Sequence, residues 1–304
     1  MGPTDARKTR LAFQIEIGER YHHLLYLLLP HSMKMNLLSE SSKARLEEIN
    51  RRFNETAYSG DAAANYDQLH RYGEAEQHDC PLRELVEEVW AREPYGRAIE
   101  IGAGSGYVTE MIARQAKCVV AFELVPDMQR MIRDRCRREA LENVEVVGGS
   151  VFDLQSRRLA GSFDSVFVIQ TLHHLHRRRE VFEILYRLLR PGGRLFLLEP
   201  HHHVRRVARL FRYWLTEYRR REYWTSEWNW ATHDFVTRGE LQSLCRQAGF
   251  QNAKLSGYWM PGFKRLFPER RQRFAIERIA GRVPGLRHFA SVMAIEARRP
   301  GAER

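Results

Sequence analysis

From residue 97 onward, short apolar runs alternate with stretches whose apolar residues recur at helical spacing. That is the pattern of β-α units feeding a parallel sheet. The first run, Arg97-Ala98-Ile99-Glu100-Ile101, ends in Gly102-Ala103-Gly104-Ser105-Gly106, and a helix follows with Val108, Met111 and Ile112 on one face. Val119 to Phe122 predicts a second strand that ends at Glu123. Pro126 then occupies a first-turn position ahead of Met128, Met131 and Ile132. Val144 to Val147 and Ser165 to Ile169 predict a third and a fourth strand. Val181, Ile184, Leu185, Leu188 and Leu189 form a core-facing helical stripe that Pro191-Gly192-Gly193 stops. The fifth strand, Arg194 to Glu199, is apolar without interruption from Leu195 to Leu198, as expected for a strand buried on both faces.

Thr237 and Glu240 have capping-box spacing before Leu241, Leu244 and Ala248, with Gly249 as the stop. Two last strands are expected around Ala253 to Tyr258 and Ser291 to Glu296, separated by a basic helical insertion. Residues 1–95 read as helices broken at Pro30 and Ser59-Gly60, an extension leaning on the α/β domain. The expected organisation is a helical extension over 1–95, a core over 96–200, an insertion over 201–237, and the rest of the core with its basic insertion over 238–304.

Composition changes this picture little. The 304 residues are 43% hydrophobic and 29% charged, ordinary for a soluble globular chain. The longest apolar run, Leu24 to Leu29, stops at Pro30, too short to span a bilayer; it suits core packing better than a dimer or membrane contact. Cys80, Cys118, Cys136 and Cys245 are scattered with no C-x-x-C pair, which points away from a disulfide framework or zinc ribbon and toward a cytoplasmic setting. The net charge is +11, of which residues 201–222 carry +5 and residues 264–304 carry +7, so the remainder is nearly neutral.

The glycine loop carries the candidate chemistry. A strand that ends in Gly-x-Gly-x-Gly and turns into a helix presents bare backbone N–H groups and a helix N-terminus to a ligand. Glu123, 21 residues after Gly102 and at the end of the next strand, suits the two hydroxyls of a ribose. Together they suggest a nucleoside with a carboxylate or phosphate tail. The dinucleotide pattern would need glycine at position 107, which is Tyr107.

The segments AIEIGAGSGYVTEMIA (98–113), AFELVPDM (121–128), VEVVGGSVFDL (144–154), SFDSVFVIQTLHHL (162–175) and LLRPGGRLFLLEP (188–200) resemble, in order and spacing, the class I S-adenosylmethionine-dependent methyltransferases. The branch most similar is that of the ubiquinone and menaquinone biosynthesis enzymes. The resemblance covers about residues 50–260 and implies an α/β fold: a Rossmann-like, seven-stranded, mostly parallel sheet with helices on both faces. To this are added a helical N-terminal extension and a helical acceptor lid over 201–237. It implies that Glu100 and Gly102, Ala103, Gly104, Ser105 and Gly106 lie along the methionine and ribose parts of S-adenosylmethionine. Glu123 would hold the ribose hydroxyls and Leu124 would lie against the adenine. Ser150 stands where many relatives have an aspartate that meets the adenine; Ser150 and Val151 are assigned there, with Asp153 as a nearby substitute. Gln170 would border the cofactor.

Methyl transfer from a sulfonium is an in-line displacement that gains most from alignment and exclusion of water and needs no metal. A base helps when the acceptor is a hydroxyl or a protonated amine, and His173 and His201, after the fourth and fifth strands, are the candidates; His174 is read as structural. Trp214, Trp224, Trp228 and Trp230 fall within 17 residues of the insertion and favour a flat or greasy acceptor. The expected acceptor is a small molecule, aromatic or lipid-like, giving S-adenosylhomocysteine as the other product. RNA methylation, or cofactor binding without transfer, are the alternatives, and a homodimer is open.

The run His201-His202-His203 is not read as a metal site, because alternation along a strand sends His202 away from the other two. Beyond it, Val204, Val207, Ala208, Phe211, Trp214, Leu215 and Tyr218 follow helical spacing, with Arg205, Arg206, Arg209 and Arg212 largely opposite. That predicts an amphipathic lid helix with its apolar side inward and a basic outer face.

Overall fold

The computed structural model describes residues 29–37, 39–61, 63, 65–66, 81–217 and 234–301. Its seven strands form one sheet in the order β3-β2-β1-β4-β5-β7-β6. They are β1 Arg97–Ile101, β2 Cys118–Glu123, β3 Val144–Gly148, β4 Phe163–Ile169, β5 Leu189–Pro200, β6 Gln251–Tyr258 and β7 Val292–Arg298. The first five pair in parallel, and β7 runs antiparallel between β5 and β6. The strand order reverses between β1 and β4, which opens a crevice at their C-terminal ends.

The helices are α1 His31–Leu37, α2 Glu40–Ala57, α3 Tyr107–Ala113, α4 Pro126–Arg138, α5 Arg178–Leu188, α6 Val204–Glu217, α7 Arg238–Ala248 and α8 Arg270–Ala280. A short helix Leu82–Glu84 runs into a wider turn over Leu85–Val89, and Phe263–Leu266 is a single turn.

Alternation along β4 and β5 explains the two cores. Val166, Val168, Leu195 and Leu197 pack against Val181, Ile184, Leu185 and Leu188 of α5 and Leu241 and Leu244 of α7. Phe167, Ile169, Phe196 and Leu198 face the other way, onto Met111 and Ile112 of α3 and Leu82, Val86 and Trp90. Because both faces are covered, these strands carry no polar alternation. The capping box of α7 forms as its spacing predicts, with Thr237 Oγ1 accepting from Glu240 N at 3.3 Å and Gly249 ending the helix at φ 94°.

The start of β5 differs from the expectation. The β5 pairing starts at Leu189, not Arg194: Leu189 pairs with Phe163, and the register shifts before Arg194 pairs with Ser165. Pro191-Gly192-Gly193 lies in that irregularity, where a missing N–H donor costs little. The basic insertion between β6 and β7 is the Phe263–Leu266 turn, α8 and a 3-10 turn Leu286–Phe289.

The basic face of α6 is exposed as expected at Arg205, Arg209 and Arg212, but part of its apolar side is exposed as well. Val204, Phe211 and Leu215 are 61%, 45% and 50% exposed, while Arg205, Arg206 and Arg209 line a cavity. Trp224, Trp228, Trp230, the side chain of Trp214 and the run Leu24 to Leu28 lie outside the described residues. No helix among the described residues is long and apolar enough to cross a membrane.

Candidate functional site

At the end of β1 the chain turns through Gly102, Gly104 and Gly106, all with positive φ (71°, 56° and 81°), a conformation side chains disfavour. Gly102 N donates to Phe122 O at 2.8 Å, which ties the loop to β2. Gly104 N then donates to Glu123 Oε2 at 2.7 Å, and Val125 N to Glu123 Oε1 at 2.9 Å. Burial raises the Glu123 carboxyl above its usual range, and these donors oppose the rise. Each carboxylate oxygen keeps a second lone pair, which is what a vicinal diol would use.

The opposite wall comes from the end of β4. Thr171 Oγ1 donates to Gly102 O at 3.3 Å, and a Cβ on Gly102 would sit 2.4 Å from Thr171 Cγ2. Glycine at 102 is therefore demanded twice, by φ and by this approach. Gly102, Gly104, Glu123, Leu124, Ser150, Val151 and Gln170 border one cleft of about 750 Å³.

Four residues of the cofactor expectation are buried behind it. Glu100 accepts from Thr109 Oγ1, and burial pushes its carboxyl up to about 8. Ala103, Ser105 and Gly106 form the inner side of the turn, and Ser105 O accepts from Arg135 Nε at 3.2 Å. Asp153 is diverted too: its carboxylate accepts from Ser150 N at 2.8 Å in a capping box that opens a 3-10 turn.

Sequence reasoning missed the cleft's roof. Asn54, Tyr58 and Tyr66, from α2 and the segment after it, border the cleft. The Tyr58 ring meets Tyr66 edge-on at 5.1 Å and His174 at 6.0 Å. Burial, helped by Glu123, pushes the Tyr58 hydroxyl up to about 12, so it stays protonated. Gly60 N donates to Asp127 Oδ2 at 2.6 Å and fixes this segment to the first turn of α4. The two tyrosines lie in a helical extension with no motif around them, so only their aromatic character could have marked them.

The histidines separate by position. His173 Nδ1 lies 2.8 Å from Glu199 Oε2, and the buried Glu199 carboxylate also accepts from the backbone N–H of Thr171, Leu172 and His173. Burial pushes Glu199 up to about 7 against those donors. His173 borders neither the cleft nor its neighbouring cavity; His174, whose ring centroid lies 4.0 Å from that of His173, borders the cleft. His201 Nδ1 is 2.9 Å from Ala290 O, His201 N donates to Ser291 O, and burial lowers the ring's pKa. His201 holds the end of β5 to the loop before β7. His203 does border the neighbouring cavity, with its pKa lowered to about 4 by burial and the nearby arginines. Its Nδ1 accepts from Arg206 N at 3.3 Å, which assigns the proton to Nε2 and makes it a donor.

A second polar cluster joins the extension to the base of the lid. Asp234 accepts from Lys34 Nζ at 2.7 Å and meets His31 Nδ1 at 2.5 Å, and His31 Nε2 lies 2.9 Å from His176 O. Burial acts to raise Asp234, but the Lys34 ammonium and the His31 ring outweigh it and hold the carboxyl well below its usual range. His31, His176 and Asp234 bring ligand atoms within 4.8 Å of one another. Lys34 already neutralises the carboxylate, a poor setting for a metal ion. The partners are about 150 to 200 positions apart in sequence, so no spacing could announce them.

Comparison with known proteins agrees with this geometry. The family described as "Methyltransferase domain" matches residues 99–197. A ubiquinone biosynthesis O-methyltransferase of Xanthomonas axonopodis pv. citri is 31% identical over 196 residues, 62% of this chain and 78% of that protein. A solved SAM-dependent methyltransferase of Thermotoga maritima, described as a possible histamine N-methyltransferase, superposes at a TM-score of 0.52 with 18% identity. That alignment covers 83% of this chain and 99% of the other. Phosphoethanolamine N-methyltransferase 2 of Haemonchus contortus, in complex with S-adenosyl-L-methionine, gives 0.55 with 15% identity over 83% of this chain and 60% of its own. The two structures bear on the fold alone; the sequence relative and the loop with its acid bear on the family. The chain belongs to the class I S-adenosylmethionine-dependent methyltransferases and is related among them to the ubiquinone biosynthesis O-methyltransferases.

Proposed function

We propose that this methyltransferase acts on a small-molecule acceptor, an aromatic or lipid-like hydroxyl or amine, placed between the cofactor cleft and the cavity beside it. The observation that carries this reading is that Gln170 borders both spaces, which sets the cavity directly beside the cofactor's cleft. Its O-methylating relative favours a hydroxyl.

The residues present fit S-adenosylmethionine. The glycine cradle leaves room for a backbone-hugging ligand: a Cβ on Gly104 would meet only Tyr66, at 3.8 Å. Glu123 would hold the ribose, Leu124, Ser150 and Val151 the adenine side, and Gly102 and Gly104 the amino-acid side, with Tyr58 and Tyr66 closing the roof. When bound, the cofactor supplies an electrophilic methyl on a sulfonium. The chain's own part is to align the acceptor, exclude water and remove its proton.

Among the histidines, His174 is placed to take that proton because it borders the cleft, and His173 with Glu199 positions it from behind. His201 then acts on structure and not on the acceptor. Transfer of labelled methyl to a panel of hydroxylated aromatics and amines tests this reading. His174→Ala should lower kcat at unchanged S-adenosylhomocysteine affinity, and His201→Ala should leave kcat within a few fold once folding is matched. Failure to methylate any member of the panel, by protein that binds the cofactor, would count against a small-molecule acceptor.

A further inference from the structure

We propose that the cavity beside the cofactor cleft is an anion-recognition subsite, taking an acceptor that carries a carboxylate or phosphate, held by Arg205, Arg206 and Arg209. That the bound anion is the methyl acceptor rests on the proposed function; the anion preference does not.

The cavity measures about 1180 Å³ with its open mouth, and three arginines and His203 border it without a single Asp or Glu among the described residues. Three cations converging on one opening, with Arg205 and Arg209 exposed at its mouth and Arg206 half-buried, give it a positive field that favours an anion. Arg205, Arg206 and Arg209 stand at i, i+1 and i+4, on one side of α6. Arg205 and Arg206 also lie in the first turn of that helix, where cations oppose the helix dipole and an anion is favoured.

On α6 the apolar Val204, Phe211 and Leu215 are exposed, and so are Arg205 and Arg209, while Arg206 is half-buried; all three arginines border the cavity. The Arg206 guanidinium lies 3.4 Å over the centroid of the Phe235 ring, which fixes its plane. Burial, with Arg209 nearby, lowers its pKa to about 10. The acid that acts on it, Asp234, is already held by Lys34 and His31. Arg205 Nη2 donates to Ser291 Oγ at 2.9 Å, which orders its fork. Among the described residues, no carboxylate pairs with Arg205 or Arg209.

Backbone strain gathers at the same place. Of the four described non-glycine residues with positive φ, Gln170 at 50° and Trp259 at 63° both border this cavity. The bulky Trp259 is held there because Glu277 accepts from Trp259 N at 3.0 Å and from Met260 N at 2.8 Å. Strain maintained by dedicated hydrogen bonds is common at ligand sites. The picture is an oxyanion gripped by the arginines of α6, an aromatic body against Trp259 and Phe235, and the nucleophile directed past Gln170 toward the cofactor.

The test is calorimetric titration of protein saturated with S-adenosylhomocysteine, using 4-hydroxybenzoate against its methyl ester and phenyl phosphate against phenol. At least one anion should bind about tenfold or more tightly than its neutral counterpart. Which arm shows the preference identifies carboxylate or phosphate. The double variant Arg205→Gln/Arg209→Gln should erase the preference, while its affinity for S-adenosylhomocysteine stays that of the wild type and so certifies its fold. In the wild type, raising salt should weaken the anions and leave the neutral probes alone. Equal binding of charged and neutral members, no binding of either anion, or a preference that survives the double variant would overturn the subsite. Loss of S-adenosylhomocysteine binding in the wild type would instead strike at the methyltransferase reading.

Discussion

Gly104 N donates to Glu123 Oε2 at 2.7 Å, so the loop after β1 is tied to the acid that ends β2. Replacing the acid therefore removes the proposed ribose acceptor and also the hydrogen bond that holds Gly104. Glu123→Ala should raise the dissociation constant of S-adenosylhomocysteine by roughly 10- to 100-fold, since a hydrogen bond to a charged group is worth about 1.5–3 kcal/mol. Glu123→Gln, which keeps one acceptor oxygen, should fall between the two. Calorimetry on the three proteins measures this; equal affinities would contradict the assignment.

Gly102 and Gly192 offer a controlled comparison, because both have positive φ, 71° and 79°. A Cβ on Gly102 meets Thr171 at 2.4 Å, whereas one on Gly192 meets nothing within 4 Å. Gly192→Ala should cost about 1 kcal/mol from backbone strain alone. Gly102→Ala should cost clearly more and weaken cofactor binding, as read by denaturant midpoints and titration.

Glu100 should give the protein a distinctive pH profile. Its folded value of about 8 lies above the ordinary 4.5, so between those values the folded chain keeps a proton that the unfolded chain has released. Its contribution to stability therefore falls as pH rises through that window, with a limiting slope of about 1.4 kcal/mol per pH unit. Glu100→Gln removes the titration, so thermal melts of the variant should exceed the wild type at pH 8.5 and converge with it near pH 5. Parallel profiles would refute the attribution.

The Asp234 cluster should behave in the opposite sense. Its carboxyl is held well below the ordinary value, so its contribution is present above about pH 4 and is lost as pH falls through the folded value. Lys34→Met leaves a buried acid with His31 as its remaining partner from α1 and should cost up to about 3–5 kcal/mol, the usual range for breaking a buried pair. Limited proteolysis at neutral pH should then cut the extension faster while β1 to β5 remain protected.

Most of the core could be read from the sequence because its signals are local. The apolar runs of β1 to β5, the stripe from Val181 to Leu188 and the Thr237-Glu240 cap each depend on neighbours within about eight residues. The loop and Glu123 were legible because each stands at the end of its own apolar run, 21 residues apart. What escaped depends on distant pairing: Tyr58 borders the cleft in a segment that Gly60 ties to Asp127, 67 positions away, and His31 meets Asp234 across 203 positions. The lid helix was legible in part. Its basic side is exposed as the spacing predicts, but patterning does not say what covers the other side, so the exposure of Val204, Phe211 and Leu215 and the cavity beside Arg206 were not legible.

The central claim is that the cleft at the ends of β1 and β4 binds the methyl donor. Titration of the purified chain with S-adenosylmethionine tests it most directly. One-to-one binding is expected, weakened at least about tenfold by Glu123→Ala; no binding to the wild type, or equal binding to the variant, would rule the cleft out as the donor site.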